Sequence, residues 1–357
     1  MPRFENELFG IIGKKDWLNV GFDVTRQNDP IDSLMSDTRT ENLVAEWETL
    51  ASEYQIPVMA QFHGWDTEAQ QTTRVPVDGH SIEKGLIKVK INQSERMRAL
   101  KRSGISSDQL YSYIMDDGLN LAEQVFTRSK VAKNELLATG KVTIKENGLD
   151  LTVDYGVPQS HTNLELDFGA GATKSIPAQL NDLVQSAADN GTILNGILTS
   201  RKNVSRLRQD VAIQKQIGGI YSEGSLVPLS ALQDYLASEF GINRIVTNDL
   251  RYALPRVINP TTGRPTVRQK RYFPEEKISF FAANTGGIIG TGLWGNPPEV
   301  DVPELKARQA SGMPYVYISQ WHEEDPAVTW MKASALYMPV LFSPDSLYIA
   351  KAKETAA

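Results

Sequence analysis

Apolar positions recur at alternating four- and three-residue steps from Tyr111 through Met115, Gly118, Ala122, Val125, Ser129 and Ala132 to Leu136. That spacing keeps one face of a helix continuous, and it predicts a helix over about 108–138 with a weak point near Gly118. Ser106 and Ser107 are the N-cap candidates and Gly140 the C-terminal stop. Asp116 and Asp117 stand toward its start and Lys130 and Lys133 toward its end, as the helix dipole prefers. At a rise of 1.5 Å per residue such a helix is a rod on the order of 45 Å long. The period then changes from helical to two. Val142 and Ile144 alternate with polar residues, Asn147-Gly148 supplies a turn, and Leu149, Leu151, Val153 and Tyr155 resume the alternation. Asn-Gly between alternating runs is a strong hairpin signal.

The flanks are less regular. Residues 1–35 carry Phe4, Phe9, Trp17 and Phe22 at spacings that fit neither period, so they read as an arm that lies across its own body or a neighbour. Thr38–Tyr54 reads as a helix-like connector with Leu43, Val44, Trp47 and Leu50 on one side. From Ile56 to Asn92 two apolar runs flank the polar stretch DTEAQQTTR, which predicts a long two-stranded ribbon with a polar tip, its returning strand marked by Leu86, Val89 and Ile91. A ribbon of two strands is marginal in water, so a second subunit is its natural support.

Beyond the hairpin the composition shifts. His161–Ser175 is Gly-rich and loop-like, Pro177–Asp189 an amphipathic helix, Thr192–Leu198 a strand and Lys202–Ile217 a basic helix. Leu226–Phe240 predicts another helix, begun by Pro228, followed by strands at Ile242–Leu250 and Lys277–Ala283 that the turn-rich NPTTGRP joins. Tyr315–Lys351 is strand-rich and interrupted by Pro326, Pro339 and Pro344. The sum is an α+β chain of two domains, which 357 residues readily supply.

Composition narrows the function by exclusion. No run approaches the roughly 18 apolar residues of a membrane span. MPRFENELFG has no apolar h-region, and Pro2 stands where myristoylation needs Gly. With no cysteine there are no disulfides, thiolate metal sites or cysteine nucleophiles, and a cytoplasmic origin is expected. The net charge of −6 argues against nucleic-acid binding as the main activity. The distribution is more telling than the sum. Residues 1–50 hold ten acids and five bases, Lys84–Arg102 seven bases and one acid, and Arg251–Lys277 seven bases and two acids. Acidic and basic segments in one chain suit docking between copies, because complementary patches steer association and fix register.

Chemical motifs fail on inspection. Gly169-Ala-Gly-Ala-Thr-Lys174-Ser175 imitates a phosphate loop, but Thr173 precedes the lysine where Gly is required. Gly287-Ile-Ile-Gly290-Thr-Gly292 runs into Trp294-Gly295-Asn-Pro-Pro, which cannot open a helix. His63, His80, His161 and His322 share no metal-ligand spacing, and His322-Glu-Glu-Asp325 lacks a second histidine. Asp116 and Asp117 are adjacent on a helix and do not face one another. Arg268-Gln-Lys-Arg-Tyr-Phe273 is the best nucleic-acid candidate, yet its alternation fits an exposed strand edge guarded by cations. The residues therefore predict no catalytic, cofactor-binding or metal site, and no enzyme.

The order of elements, and three passages in particular, resemble the major capsid proteins of tailed phages, specifically the lambda-type capsid protein E family. The passages are VAKNELLATGKVTIKENGLDLTVDYG at 131–156, DPAVTWMKASALYMPVLFSPDSLYIAKA at 325–352 and, less specifically, RYFPEEKISFFAANTGG at 271–287. The resemblance runs from about residue 30 to the end. It implies a Hong Kong 97-type fold with an N-terminal arm (1–35), a peripheral domain (36–55 and 93–175) built on the 108–138 spine helix, and an extended loop (56–92) lying on a neighbour. An axial domain (176–300) and a C-terminal return to the peripheral domain (301–357) complete it. It further implies pentamers and hexamers in an icosahedral head enclosing double-stranded DNA, assembled in the host cytoplasm. The implied partners are scaffolding and portal proteins and a decoration protein, with DNA contacted non-specifically and no membrane. An encapsulin-like compartment shell has the same fold and is the alternative; a nucleotide-dependent enzyme using Lys174 is the third reading.

Overall fold

A computed structural model describes residues 29–49, 78–93, 107–219, 224–254, 257–258, 265–266, 268–284, 286–302, 307–310, 313–323 and 328–354. The expected arm falls outside them up to residue 28, as do the ribbon's polar tip and residues 50–54 of the expected connector. In chain order the first strands are β1 (Met35–Arg39), β2 (Val44–Thr49), β3 (Asp78–Glu83) and β4 (Gly85–Gln93). Then come helix α1 (Ser107–Thr139), strands β5 (Lys141–Glu146) and β6 (Leu149–Asp154), a helical turn α2 (Gln159–Thr162) and β7 (Leu164–Asp167). A helical region follows with α3 (Ile176–Asp189), β8 (Gly196–Thr199), α4 (Arg201–Gln209), α5 (Val211–Gly218) and α6 (Leu229–Phe240). Short strands β9 (Arg244–Thr247), β10 (Arg251–Ala253), β11 (Val257–Ile258), β12 (Pro265–Thr266) and β13 (Gln269–Arg271) lead to β14 (Lys277–Phe281) and β15 (Gly290–Gly295). The chain closes with β16 (Arg308–Ala310), β17 (Met313–Glu323), β18 (Val328–Leu341) and β19 (Leu347–Lys353).

Two sheets organise the body. The first has six strands with β18 at its centre. Thr329–Ser334 of β18 pairs with both β17 and β4, and Leu336–Tyr337 with both β15 and β4. A strand edge serves one ladder at a time, so β4 takes one edge of β18 while β17 and β15 share the other. The second sheet runs β7-β19-β14-β8-β9 and is packed by α3, α4, α5 and α6 around Leu180, Leu207, Ile213, Leu232 and Leu236. α1 lies on the first sheet. Its buried stripe of Gly118, Ala122, Val125, Ser129, Ala132 and Leu136 is the stripe the sequence predicts, and the helix runs unbroken through Gly118.

The hairpin is confirmed in register, with Lys141 opposite Asp154 and Glu146 opposite Leu149. Its turn places Asn147 at φ 50° and Gly148 at φ 82°, the pair of positive values a two-residue type I′ turn requires.

Four expectations need correction. Over its described residues 38–49 the connector is not helical: β1 pairs parallel with β15, and Val44–Thr49 is a strand in which Ala45 and Trp47 alternate with Glu46 and Glu48. Pairing with β3 overrides the weak helical spacing of its apolar residues. Leu86, Val89 and Ile91 belong not to the ribbon but to β4, in the first sheet, so the paired part of the ribbon is β2 with β3. Lys202–Ile217 is two helices, because Asp210 takes an extended conformation (φ −64°, ψ 126°) and caps the second by accepting from the Ile213 N–H at 3.0 Å. The stretch 161–175 contains β7, parallel to β19, so the final strand of the chain closes the second sheet rather than the first.

The start of the described chain is also more integrated than an arm. Ile31, Leu34 and Met35 are fully buried. Asn248 donates to Asp29 Oδ1 at 3.0 Å and to Asn134 Oδ1 at 2.9 Å, tying this segment to α1 and to the end of β9. Burial pushes the Asp29 carboxyl above its ordinary value, against the Ile31 N–H and the nearby Lys130. Lys133, which the sequence assigns to the helix dipole, is 1% exposed and lies between Asp32 (3.2 Å) and Asp37 (2.8 Å).

Two buried tyrosines give the core a pH response. Tyr155 donates to the Pro339 carbonyl at 2.6 Å, and the Tyr337 hydroxyl meets no hydrogen-bond partner among the described residues. Burial pushes both phenols well above their ordinary value of 10. The unfolded chain therefore releases these protons first as pH rises past 10, and the folded state loses stability there. Each phenol contributes a slope of about 1.4 kcal/mol per pH unit while only its unfolded form ionises. Urea unfolding of the unassembled subunit at pH 9, 10 and 11 should show a steep fall that Tyr337→Phe makes shallower. An unchanged slope in that variant would remove Tyr337 from the account.

Candidate functional site

The sequence motifs land in structural positions. Lys174 is exposed, paired with Asp182 at 2.5 Å, and its carbonyl accepts from the Gln179 side chain. That side chain also accepts from the Asp167 N–H at 2.8 Å, so the glycine-rich turn is held as the lead into α3. Gly290 and Gly292 lie inside β15, where an added Cβ would sit 2.3 Å from the Val340 carbonyl and from Asp37 Oδ1 respectively. These glycines serve close packing. His161 is buried against the Tyr348 ring at 3.8 Å, and burial lowers its pKa despite the opposing pull of Asp345. His80 is in β3 and His322 in β17, distant in the pairing scheme, while His63 lies outside the described residues. Among the described residues no three His, Cys, Asp or Glu side chains come together as a metal site. Of Arg268–Phe273, residues 269–271 form β13 on β10, Arg271 pairs with Asp249 and Glu275, and Phe273 is core.

What the structure builds with care is a set of projections and their footings. The β2–β3 ribbon meets the body at Ala45 and Ile82, which pack on Leu293 and Val340. Lys84, between β3 and β4, is buried at this footing. Its ammonium donates to the Thr40 carbonyl at 3.2 Å, to the Asn42 carbonyl at 2.5 Å and to the Thr40 hydroxyl. Burial lowers its pKa. The three oxygens satisfy its three donors and fix where the ribbon leaves the sheet. A second footing is Glu299, buried after β15 and reached by Lys332 (2.7 Å), Lys88 (3.4 Å) and Ser334 (3.1 Å). Burial opposes its ionisation, yet the Lys332 hydrogen bond and the two ammonium groups prevail and hold its pKa down. It thereby links the loop after β15 to both β18 and β4.

The β5–β6 hairpin projects in a similar way. Val142 and Val153 are buried at its base, while Leu151 and Leu149 on the same face are 48% and 63% exposed. Its other face carries the cross-strand ion pairs Lys141–Asp154 (2.7 Å) and Lys145–Asp150 (3.6 Å). Glu135 of α1 accepts from the Thr143 N–H at 3.0 Å, and Arg128 pairs with Glu146 at 3.1 Å, so the spine sets the hairpin's direction.

Sequence reasoning did not place Lys84, Lys133 or Glu299 as buried charges. The first two leave a trace: Lys84 shares parity with Ile82 and Leu86, and Lys133 falls within the helical stripe between Ser129 and Leu136. A charge at an apolar position marks a buried ion or cap. Glu299, in the loop EVDVPE after two prolines, leaves no such trace.

These footings and uncovered projections describe a subunit, and the comparisons agree. No curated protein matches the sequence. Among solved structures, a putative capsid protein of a prophage from E. coli CFT073 superposes with a TM-score of 0.51 at 13% identity, covering 94% of this chain and 96% of that one. A phage-related protein from Bordetella bronchiseptica RB50 gives 0.51 at 11% identity, with 90% of each chain covered. At these identities the likeness shows the fold, that of the Hong Kong 97-type capsid proteins. The family profile described as phage major capsid protein E matches residues 87–352, three quarters of the chain, and so this chain belongs to the phage major capsid protein E family and is a head-shell protein.

Proposed function

We propose that the chain builds the icosahedral head shell of a tailed phage around double-stranded DNA by completing its fold against copies of itself, as a structural subunit with no catalytic step. The observation that carries this is the β2–β3 ribbon, which among the described residues packs on the body at its footing and leads into residues 50–77. Two strands bury too little to stand alone, and a neighbouring copy supplies the missing surface. In this reading α1 and the six-stranded sheet form the peripheral domain, and the five-stranded sheet with α3 to α6 forms the axial domain that meets its copies in pentamers and hexamers. The ribbon is the extended loop. Assembly takes place in the host cytoplasm with a separate scaffolding protein and a portal, and a decoration protein is a further partner. The family match favours a phage head over a cargo compartment.

Expression of the chain, alone or with its scaffolding protein, should give closed particles or capsomer-sized rings by electron microscopy. Deleting residues 66–76 should leave a monomer with an unchanged melting temperature and no closed shells. Particles from the deletion variant, or no assemblies from the intact chain, would contradict the proposal.

A further inference from the structure

Besides the β5–β6 hairpin the chain carries a further pair of short antiparallel strands, and its charge is opposite to that of the β2–β3 ribbon. β10 pairs with β13, the Leu254 N–H donates to the Arg268 carbonyl at 2.8 Å, and β11 pairs with β12. These four short strands form two antiparallel pairs, and in sequence the stretch 251–271 holds Arg251, Arg256, Arg264, Arg268, Lys270 and Arg271 with no Asp or Glu. The β2–β3 ribbon and its approach, residues 41–49 and 78–83, hold Glu41, Glu46, Glu48, Asp78 and Glu83 with no Lys or Arg.

Among the described residues, most of the positive charge on these strands has no ion-pair partner. Arg271 is engaged by Asp249 at 2.7 Å and Glu275 at 3.0 Å. Arg251, Arg268 and Lys270 are exposed, and no ion pair reaches them among the described residues. The two ribbons also rise from different parts of the body. The acidic one stands on Leu293 and Val340, whereas the basic one leaves beside α1, where Tyr272 is hydrogen-bonded to Thr127. No ion pair joins them among the described residues. Like charges crowded on an exposed ribbon repel, and an opposite ribbon relieves both sets at once. With Arg271 engaged, Arg251, Arg268 and Lys270 remain on the described strands as a complement to the acids of the β2–β3 ribbon. By register Glu46 and Glu48 share one side of their ribbon with Ser81 and Glu83.

We infer that the paired strands β10 and β13, with the exposed Arg251, Arg268 and Lys270, are the seat for the acidic β2–β3 ribbon of a neighbouring copy, so that each subunit offers one arm and receives another. The contact is heterologous, joining two different surfaces, and such contacts generate rings where the rotation closes rather than isolated two-fold dimers. The inference rests on the reading of the chain as a shell subunit. Nucleic acid is the competing occupant, and the chain's net charge of −6 together with the matched acidic ribbon on the same chain favours the second copy.

The test is charge reversal in the full chain. The variant Arg251→Glu/Arg268→Glu/Lys270→Glu should melt as the wild type does, since all three side chains are exposed, yet give at least tenfold fewer particles. The variant Glu46→Lys/Glu48→Lys/Glu83→Lys should fail in the same way, and the chain carrying all six changes should recover particles. Wild-type particle yield from the first variant would overturn the inference, as would six changes assembling no better than three. Normal empty shells from the first variant that no longer retain DNA would assign the basic ribbon to phosphate and also overturn it. Absence of particles from the wild type would overturn the shell reading itself, and this inference with it.

Discussion

Lys133→Met is expected to destabilise the unassembled subunit by about 3–5 kcal/mol at pH 7, the usual result of removing one partner from a buried ion pair. The lysine is 1% exposed, and its ammonium is shared among Asp32, Asp37 and the Met35 carbonyl at 3.2, 2.8 and 3.0 Å. The two acids are not equal. Asp32 is 45% exposed, so its pair is screened and weak. Asp37 is 23% exposed and lies against the buried Tyr337 and against Gly292, whose missing Cβ leaves the room the carboxylate needs. Without Lys133 that carboxylate keeps its burial and loses its counter-charge. Asp37→Asn in the Lys133→Met background should therefore recover part of the loss, while Asp32→Asn should recover little. Urea unfolding of the four variants gives the coupling directly. A loss below about 1 kcal/mol, or equal rescue by both asparagines, would refute this division.

The same residues show what the sequence could and could not convey. The spine helix and its hairpin were legible because their evidence is local: a stripe from Gly118 to Leu136 and a turn at Asn147-Gly148 both act within the segment that carries them. The strands at 35–49 were not, because Met35–Arg39 is a strand only through parallel pairing with β15, some 250 residues further on. The position of β4 was lost for a related reason. Its alternation is clear in Ile87, Val89 and Ile91, with Leu86 on the exposed face, but alternation does not say which neighbour a strand takes, and β18 outcompetes β2. Asp210 divided a helix that composition presents as continuous, since a cap is a statement about one residue's backbone. As for the site, the segregation of acidic and basic segments was visible in the sequence. Their location on two separate ribbons required the pairing of β2 with β3 and of β10 with β13.

Trp294→Ala should have an effect as large as that of Lys133→Met, through packing instead of charge. Trp294 is fully buried at the point where the first sheet meets its helix. Its ring centroid lies 4.6 Å from Tyr337 of β18, 4.9 Å from Phe126 of α1 and 5.3 Å from Tyr315 of β17, the last nearly parallel at 14°. One side chain thus fills the space between three elements, and β1 pairs with its strand on the far side, Arg39 opposite Trp294. Truncation to Ala removes the largest fully buried side chain among the described residues, and core Trp→Ala changes cost about 3–5 kcal/mol because the cavity collapses only in part. Trp294→Phe separates shape from polarity. The indole N–H meets no hydrogen-bond partner among the described residues, so its removal sacrifices no bond and relieves a buried polar group. Phe should accordingly cost well under half as much as Ala. The consequence for assembly also differs from that of the ribbon variants. The ribbon footing packs on Leu293, the residue before Trp294, so a collapsed cavity there tilts the footing and lowers particle yield together with the melting temperature. Loss of particles with an unchanged melting temperature would place Trp294 outside the core role assigned to it.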